Sequence, residues 1–103
     1  MHLERPAPPS QPDIVDISTE HATLRWKAPR SDGGAPISNY RIEKRPAGTY
    51  RWDLVNTGER VTETQYKVEG IEEGTDYEFR ISAENKAGLS EPSLTSRSAK
   101  YGQ

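Results

Sequence analysis

Between Asp76 and Asn85 the chain alternates without a break. Tyr77, Phe79, Ile81 and Ala83 fall on one parity, and Glu78, Arg80, Ser82 and Glu84 on the other. A period of two over this length is that of an extended strand with one dry and one wet face, because successive side chains of a strand point to opposite sides. The run stops at Asn85-Lys86-Ala87-Gly88, whose composition is that of a turn. A long strand with one apolar face must bury that face against another layer, so the fold has to be built of sheets. The strand carries no activated reactive group.

The rest of the chain repeats this theme in shorter pieces. Ile14 to Ile17 reads as a first strand, with Ser18-Thr19-Glu20-His21 as its turn. Thr23 to Lys27 is a second, with Leu24 and Trp26 inward and Arg25 and Lys27 outward, and Pro29 ends it. Arg30 to Pro36, with its Asp32-Gly33-Gly34 centre, is a loop. Ile37 to Lys44 is a third strand, with Tyr40 and Ile42 inward. Trp52 to Val55 is a short fourth, Gln65 to Val68 a fifth with Tyr66 and Val68 inward, and Gly70 and Gly74 flank a corner that holds Ile71. The alternating strand is the sixth, and Leu94 to Lys100 is expected to be the seventh. Seven short strands with turn signals every 8–12 residues or so are the pattern of an antiparallel β-sandwich. The eight prolines argue against long helices.

Composition fits this reading. Only 31% of the residues are hydrophobic and 29% are charged, a balance that in a scattered sequence would indicate disorder. Here the apolar residues lie in alternating runs, and a two-layer sheet fold needs only half of each strand to be apolar. With 103 residues there is room for one domain and one modest core. The expected core is Leu24, Trp26, Tyr40, Ile42, Val55, Tyr66, Val68, Ile71, Tyr77, Phe79, Ile81 and Ala83. Trp52 and Val55 have opposite parity, so only one faces inward. Val55 is placed inside and Trp52 outside, where it either lies over the stem or guanidinium of Arg41 or Arg80 or simply covers the sheet edge.

Residues 1–11 are expected to precede the domain, as a proline-rich lead-in that favours polyproline geometry and either joins to a neighbour as a semi-rigid connector or frays as a terminus. The domain is expected to span 12–100, with a tail at 101–103. Met1-His2 reads as a start residue plus a cloning remnant, and His2 is given no weight.

The chemistry expected of the chain is limited. Fourteen basic and sixteen acidic residues leave a net charge of −2, without the clustered positive field that a polyanion binder needs. Cysteine is absent, which removes disulfides, thiolate metal sites and cysteine nucleophiles and fits a reducing compartment. No apolar run is long enough for a membrane span. His21 stands in a turn with no second histidine at ligand spacing, so a surface role is expected, and no metal or cofactor is. The acidic group Glu69, Glu72, Glu73, Asp76 and Glu78 fits no calcium loop and reads as a solvated face. No Gly-x-Ser-x-Gly elbow or glycine-rich phosphate loop occurs. The one basic concentration, Arg41, Lys44, Arg45 and Arg51 with Tyr50 and Trp52, is the candidate protein-contact patch. Glu43 interrupts its charge, which disfavours nucleic acid.

Taken together, the motifs resemble a fibronectin type III domain from about Pro8 to Ala99. The landmark is Trp26 on the second strand; a disulfide-bearing immunoglobulin domain would place tryptophan on the third, against a cystine. Ile71-Glu72-Glu73-Gly74-Thr75-Asp76-Tyr77 resembles the corner before that family's sixth strand, which implies that the Tyr77 hydroxyl donates to upstream backbone. Five further stretches are similar to modules of giant intracellular muscle proteins: Pro6 to Pro12, Asp32 to Ile37, Tyr40 to Arg45, Trp52 to Val55 and Ala83 to Ser93. Leu94 to Lys100 departs from the pattern in being more polar.

The resemblance implies an immunoglobulin-like, seven-stranded sandwich. Its role would be that of a non-catalytic spacer, force-bearing and protein-binding, in a cytoplasmic sarcomeric array, in the A-band. The implied partners are neighbouring immunoglobulin and fibronectin type III domains and, in the thick filament, myosin. As an isolated domain it is expected to be monomeric, and a kinase domain elsewhere in the parent is allowed. The alternative is a ligand-binding module of a receptor or adhesion protein, although neither Arg-Gly-Asp nor Trp-Ser-x-Trp-Ser is present.

Overall fold

In the computed structural model, which describes residues 2–100, the alternating run is the spine of one of two antiparallel sheets. The first sheet holds β1 (Asp13–Ile17), β2 (His21–Arg25) and β5 (Gln65–Glu69) in the order β1-β2-β5. The second holds β3 (Asn39–Pro46), β4 (Asp53–Leu54), β6 (Asp76–Asn85), β7 (Gly88–Leu89) and β8 (Ala99–Lys100). In it β4 pairs with β3, β3 with β6, and β6 carries both β7 and β8 on its other edge. This is the all-β sandwich, and none of the described residues is helical. The expected tail at 101–103 lies outside the described residues.

The inner faces meet as their periodicity requires. Leu24, Ile42, Val68, Phe79 and Ile81 are fully buried, and Trp26, Tyr40, Ile71, Tyr77 and Ala83 join them. Trp26 and Tyr40 touch edge to face at 5.4 Å between ring centres, a favoured aromatic geometry. Val55 and Tyr66 pack against this cluster but are only partly buried. Both lie at the margin of the two layers, Val55 just after β4 and Tyr66 on the edge strand β5. Ile14, Ala22 and Val61 are buried core members that the alternation did not single out. Val61 lies in the connection from β4 to β5, which has no period to read. It is fixed there because Tyr40 N–H donates to its carbonyl (2.7 Å) and its own N–H donates to Asn39 Oδ1 (2.9 Å).

Three elements differ from expectation. His21 opens β2 rather than closing a turn. The fourth strand shrinks to two residues, and the buried Asn56 takes over the β3 edge beyond it. Its Oδ1 accepts from Ile42 N–H (3.0 Å) and its Nδ2 donates to Tyr40 O (2.8 Å). The third difference is the last strand.

The expected seventh strand from Leu94 to Lys100 is paired in the ordinary way only at β8, with β7 supplying a second short piece upstream. Between them the chain pairs with β6 at every third residue. The N–H groups of Ser90, Ser93 and Ser96 donate to the carbonyls of Ala83, Ile81 and Phe79 at 2.7, 2.7 and 2.8 Å. In return each serine Oγ accepts the N–H of the same β6 residue, at 2.9, 3.0 and 2.9 Å. Three residues thus span two of β6, so each step holds an extra residue, as in a bulge. The hydroxyl replaces the carbonyl that the bulge removes, which keeps buried N–H groups satisfied.

The lead-in lies against the domain. The N–H groups of Glu4, Ala7 and Ser10 donate to the carbonyls of Gly33, Ser31 and Lys27 at 2.9, 3.0 and 3.2 Å. Pro6, Pro9 and Pro12 are buried. Asn85, at the end of β6, donates to both Glu4 O (2.8 Å) and Asp32 O (2.7 Å). At the other end of β6, Asp76 pairs with Lys100. The chain therefore meets the two ends of the ten-residue β6, separated by about 30 Å at roughly 3.3 Å per residue. The molecule measures 50 × 23 × 22 Å.

Candidate functional site

The outer face of β3 and β6 is where the sequence placed its contact patch, and the pairing register determines its chemistry. Glu43 stands opposite Arg80, and Arg45 opposite Glu78. These two rows share one face and have opposite sense, so each cation has an anion directly across the strands. Arg80 Nε donates to Glu43 Oε1 at 2.9 Å, and Arg45 Nε to Glu78 Oε1 at 3.0 Å. All four side chains are more than two-thirds buried.

What shields them is Trp52. The residue just before β4 lays its indole across this face, and both guanidiniums sit over the ring with Cζ 4.4 Å from its centre. Each arginine thus uses its Nε edge for a carboxylate and its plane for the indole. Such stacking is worth roughly 0.5–1 kcal/mol at exposed sites and more when water is excluded. One of the two cations is Arg80, as the parity argument proposed. The other is Arg45 and not Arg41, because the pairing of Glu43 with Leu54 and Lys44 with Asp53, carried one residue further, brings Trp52 beside Arg45, while Arg41 stands four residues away opposite Ser82.

The remaining members of the expected patch are dispersed. Arg41 is exposed. Lys44, of opposite parity to Arg45, places its Nζ 5.5 Å from the centre of the Tyr77 ring. Tyr50 is 95% exposed. Arg51 reaches Asp53 at 3.6 Å with its side chain almost wholly in solvent, an arrangement that contributes little to stability. The outward positions of β3 and β6 carry Arg41, Arg45 and Arg80 against Glu43, Asp76, Glu78 and Glu84. The face is mixed in sign with a slight acidic excess, so it suits a mixed partner surface and not a polyanion.

Elsewhere several titratable groups have local partners. His21 Nδ1 lies 2.7 Å from Ser18 Oγ, and Nε2 lies 3.3 Å from Asp16 Oδ2, so the ring braces the β1–β2 turn. Of the acidic group, Glu78 is held by Arg45, Glu69 lies 3.7 Å from Lys67, and Glu72 and Glu73 are exposed. Among the described residues no three histidine or carboxylate side chains converge as a metal site. The Tyr77 hydroxyl accepts the N–H of Glu72, five residues upstream, at 3.2 Å. The hydroxyl, expected to donate to upstream backbone, accepts from a backbone N–H in this bond, so the corner contact is there with the opposite direction.

The tyrosine corner, the buried tryptophan directly after β2 and the two-sheet topology accompany a match to a known sequence family, the "Fibronectin type III domain", over residues 7–98. The chain is a fibronectin type III domain. Its relatives include the cardiac-type myosin-binding protein C of Gallus gallus, 36% identical over 95 residues, covering 92% of this chain and 7% of that protein. The striated-muscle M-protein of Gallus gallus is 38% identical over 91 residues, covering 88% of this chain and 6% of that protein. Among solved structures, domains A168–A170 of titin match with a TM-score of 0.88 and 39% identity, over 95% of this chain and 32% of that one. The domain is therefore similar to modules of titin and of myosin-binding protein C, and it spans less than a tenth of the length of those curated relatives.

The residues that sequence reasoning did not single out are the polar ones that hold the module together: Asn56, Asn85 and the three serines. The serines carried a signal in their spacing of three, Ser90, Ser93 and Ser96.

Proposed function

We propose that this fibronectin type III domain is a non-catalytic structural module of a multidomain muscle protein, transmitting tension along a cytoplasmic sarcomeric array and offering its β3–β6 face to another protein. The observation that carries the reading is the placement of the termini. The lead-in is held at the Asn85 end of β6 and the last strand at the Asp76 end, so a pull on the two ends runs lengthwise through both sheets. A domain loaded in this way resists by shearing many hydrogen bonds together.

The Trp52 face supplies the contact surface. It is preorganised by two ion pairs and mixed in charge, and aromatic and arginine side chains are the ones that dominate protein contacts. Thick-filament proteins, myosin first, are the candidate partners, because relatives of this domain bear the name of myosin-binding proteins. Neighbouring immunoglobulin and fibronectin type III domains would be its companions in the chain.

Two experiments test this. The chain has no cysteine, so single cysteines added beyond each end give unique handles for optical-tweezer pulling. A single cooperative rupture at a force well above that of an extending coil is expected; extension without a rupture would remove the load-bearing role. For the contact face, a myosin rod fragment is titrated into labelled domain. Shifts concentrated at Arg41, Arg45, Trp52 and Arg80 are expected, and their absence at millimolar fragment would remove myosin as partner.

A further inference from the structure

The ten residues that lead into β1 have three distinct faces. Leu3, Pro6, Pro9 and Pro12 turn toward the domain, the three prolines buried and Leu3 half-buried. Glu4, Ala7 and Ser10 donate their N–H groups to the carbonyls of Gly33, Ser31 and Lys27. Arg5, Pro8 and Gln11 are exposed, and two of them reach back along the surface, Arg5 to Glu91 at 3.2 Å and Gln11 Nε2 to Thr95 O at 2.7 Å. A strict period of three in burial, hydrogen bonding and exposure is that of a polyproline II helix.

The surface beneath it is shaped to receive such a helix. It offers carbonyl acceptors at Gly33, Ser31 and Lys27. Asn85 Nδ2 donates to Glu4 O from below, and Lys27 N–H donates to Ser10 Oγ at 2.7 Å. Gly33 lacks a side chain where one could not fit: a Cβ there would lie 2.0 Å from the Glu4 carbonyl oxygen. The loop from Lys27 to Gly33, the end of β6 and Glu91 together form a groove that reads backbone at one residue in three and buries proline at the next face. Proline-rich segments are recognised in this way because their extended form is already set before binding.

We propose that this pole of the domain is a binding groove for proline-rich segments with proline at every third position, occupied by the domain's own lead-in until a competing segment displaces it. The inference does not depend on the muscle assignment. It goes beyond it by giving the pole a ligand class and by making the lead-in an exchangeable occupant. The occupant is joined to the body without a linker, Pro12 being followed directly by Asp13 of β1, and a tethered occupant outcompetes a free one, so the native chain should resist exchange.

The probe is a synthetic peptide with the sequence of residues 2–12, with a control in which its three period-three prolines are serine. The receiver is isotope-labelled full-length chain carrying Pro6→Ser and Pro9→Ser, which weakens the lead-in and leaves the groove unchanged. Saturable shifts are expected at the Asn85 side-chain amide and at the amides of Lys27 and Gly33. They should be at least tenfold weaker in the native chain, absent with the control peptide, and lost when Gly33→Ala is added. If the double variant is unfolded, excess peptide should restore its dispersed spectrum. A folded variant that ignores the peptide at millimolar concentration, an equal response to the control, or an unfolded variant that the peptide does not rescue would each overturn the proposal.

Discussion

Trp26 shows what a single residue contributes here. It is 97% buried in side-chain-lined space between the sheets, given its 3% relative exposure, and it meets Tyr40 edge-on. Trp26→Ala should lower the unfolding free energy by about 3–5 kcal/mol, as large-to-small changes of aromatic core residues do; urea denaturation measures it. Trp52, the other tryptophan, contributes differently. Its ring covers paired charges, so its loss returns Arg45, Glu78, Arg80 and Glu43 to water without opening the core. A double-mutant cycle between Trp52→Ala and Arg80→Ala should give a coupling of about 0.5–1 kcal/mol. A value near zero would show that the stacking is incidental.

At the same scale, burial raises the hydroxyl pKa of Tyr40 above its ordinary value of 10.0. Burial does so for Tyr66 as well, assisted by a hydrogen bond to Glu59 and by the charges of Glu59 and Glu69. A raised folded-state pKa means that the folded state holds its proton more tightly than the unfolded chain. The resulting stability is complete below the ordinary tyrosine pKa and is lost as pH climbs through the raised values. Thermal melts should therefore be flat with respect to these groups up to about pH 9 and fall above pH 10. Tyr66→Phe should remove part of that fall.

At the scale of the element, the last strand is the informative one. Its polar composition looked wrong for a strand because the pairing is not that of a strand. Three hydroxyls take the place of strand carbonyls along β6, and all three acceptors serve buried N–H groups. Removing one leaves a buried donor unmatched. Ser93→Ala should cost about 1–3 kcal/mol and should speed hydrogen exchange at the Ile81 amide more than at its neighbours. An unchanged Ile81 amide would mean that the hydroxyl is dispensable. The lead-in follows the same rule in another form, since a period of three lets a chain without strand pairing still fasten itself at regular intervals.

Across the whole molecule, the poles matter more than any cavity. One pole is bound by the lead-in through Gly33 and Asn85, and the other by the pairing of Asp76 with Lys100. Gly33→Val places a branched side chain where the Glu4 carbonyl passes, on a glycine whose φ of +77° is itself unfavourable for other residues. Its effect should be regional: exchange protection lost at Ala7 and Ser10, with the amides of Leu24 and Phe79 still protected. Loss of protection throughout the sandwich would instead make the lead-in indispensable to folding.

The alternation of Tyr77, Phe79, Ile81 and Ala83, and of Leu24 with Trp26, was enough to specify two packed sheets, because a period of two leaves an apolar face no other way out of water. The corner at Tyr77 and the position of Trp26 were enough to indicate the family. Which arginines meet Trp52 was decided by tertiary structure, since it depends on register between strands that are dozens of residues apart. So were the uses of Asn56, Asn85 and the serines, whose side chains bond to backbone far along the chain. The sequence contains those polar residues plainly, but a hydrogen bond depends on where two segments come to lie, and only the folded chain brings them within 3 Å of one another.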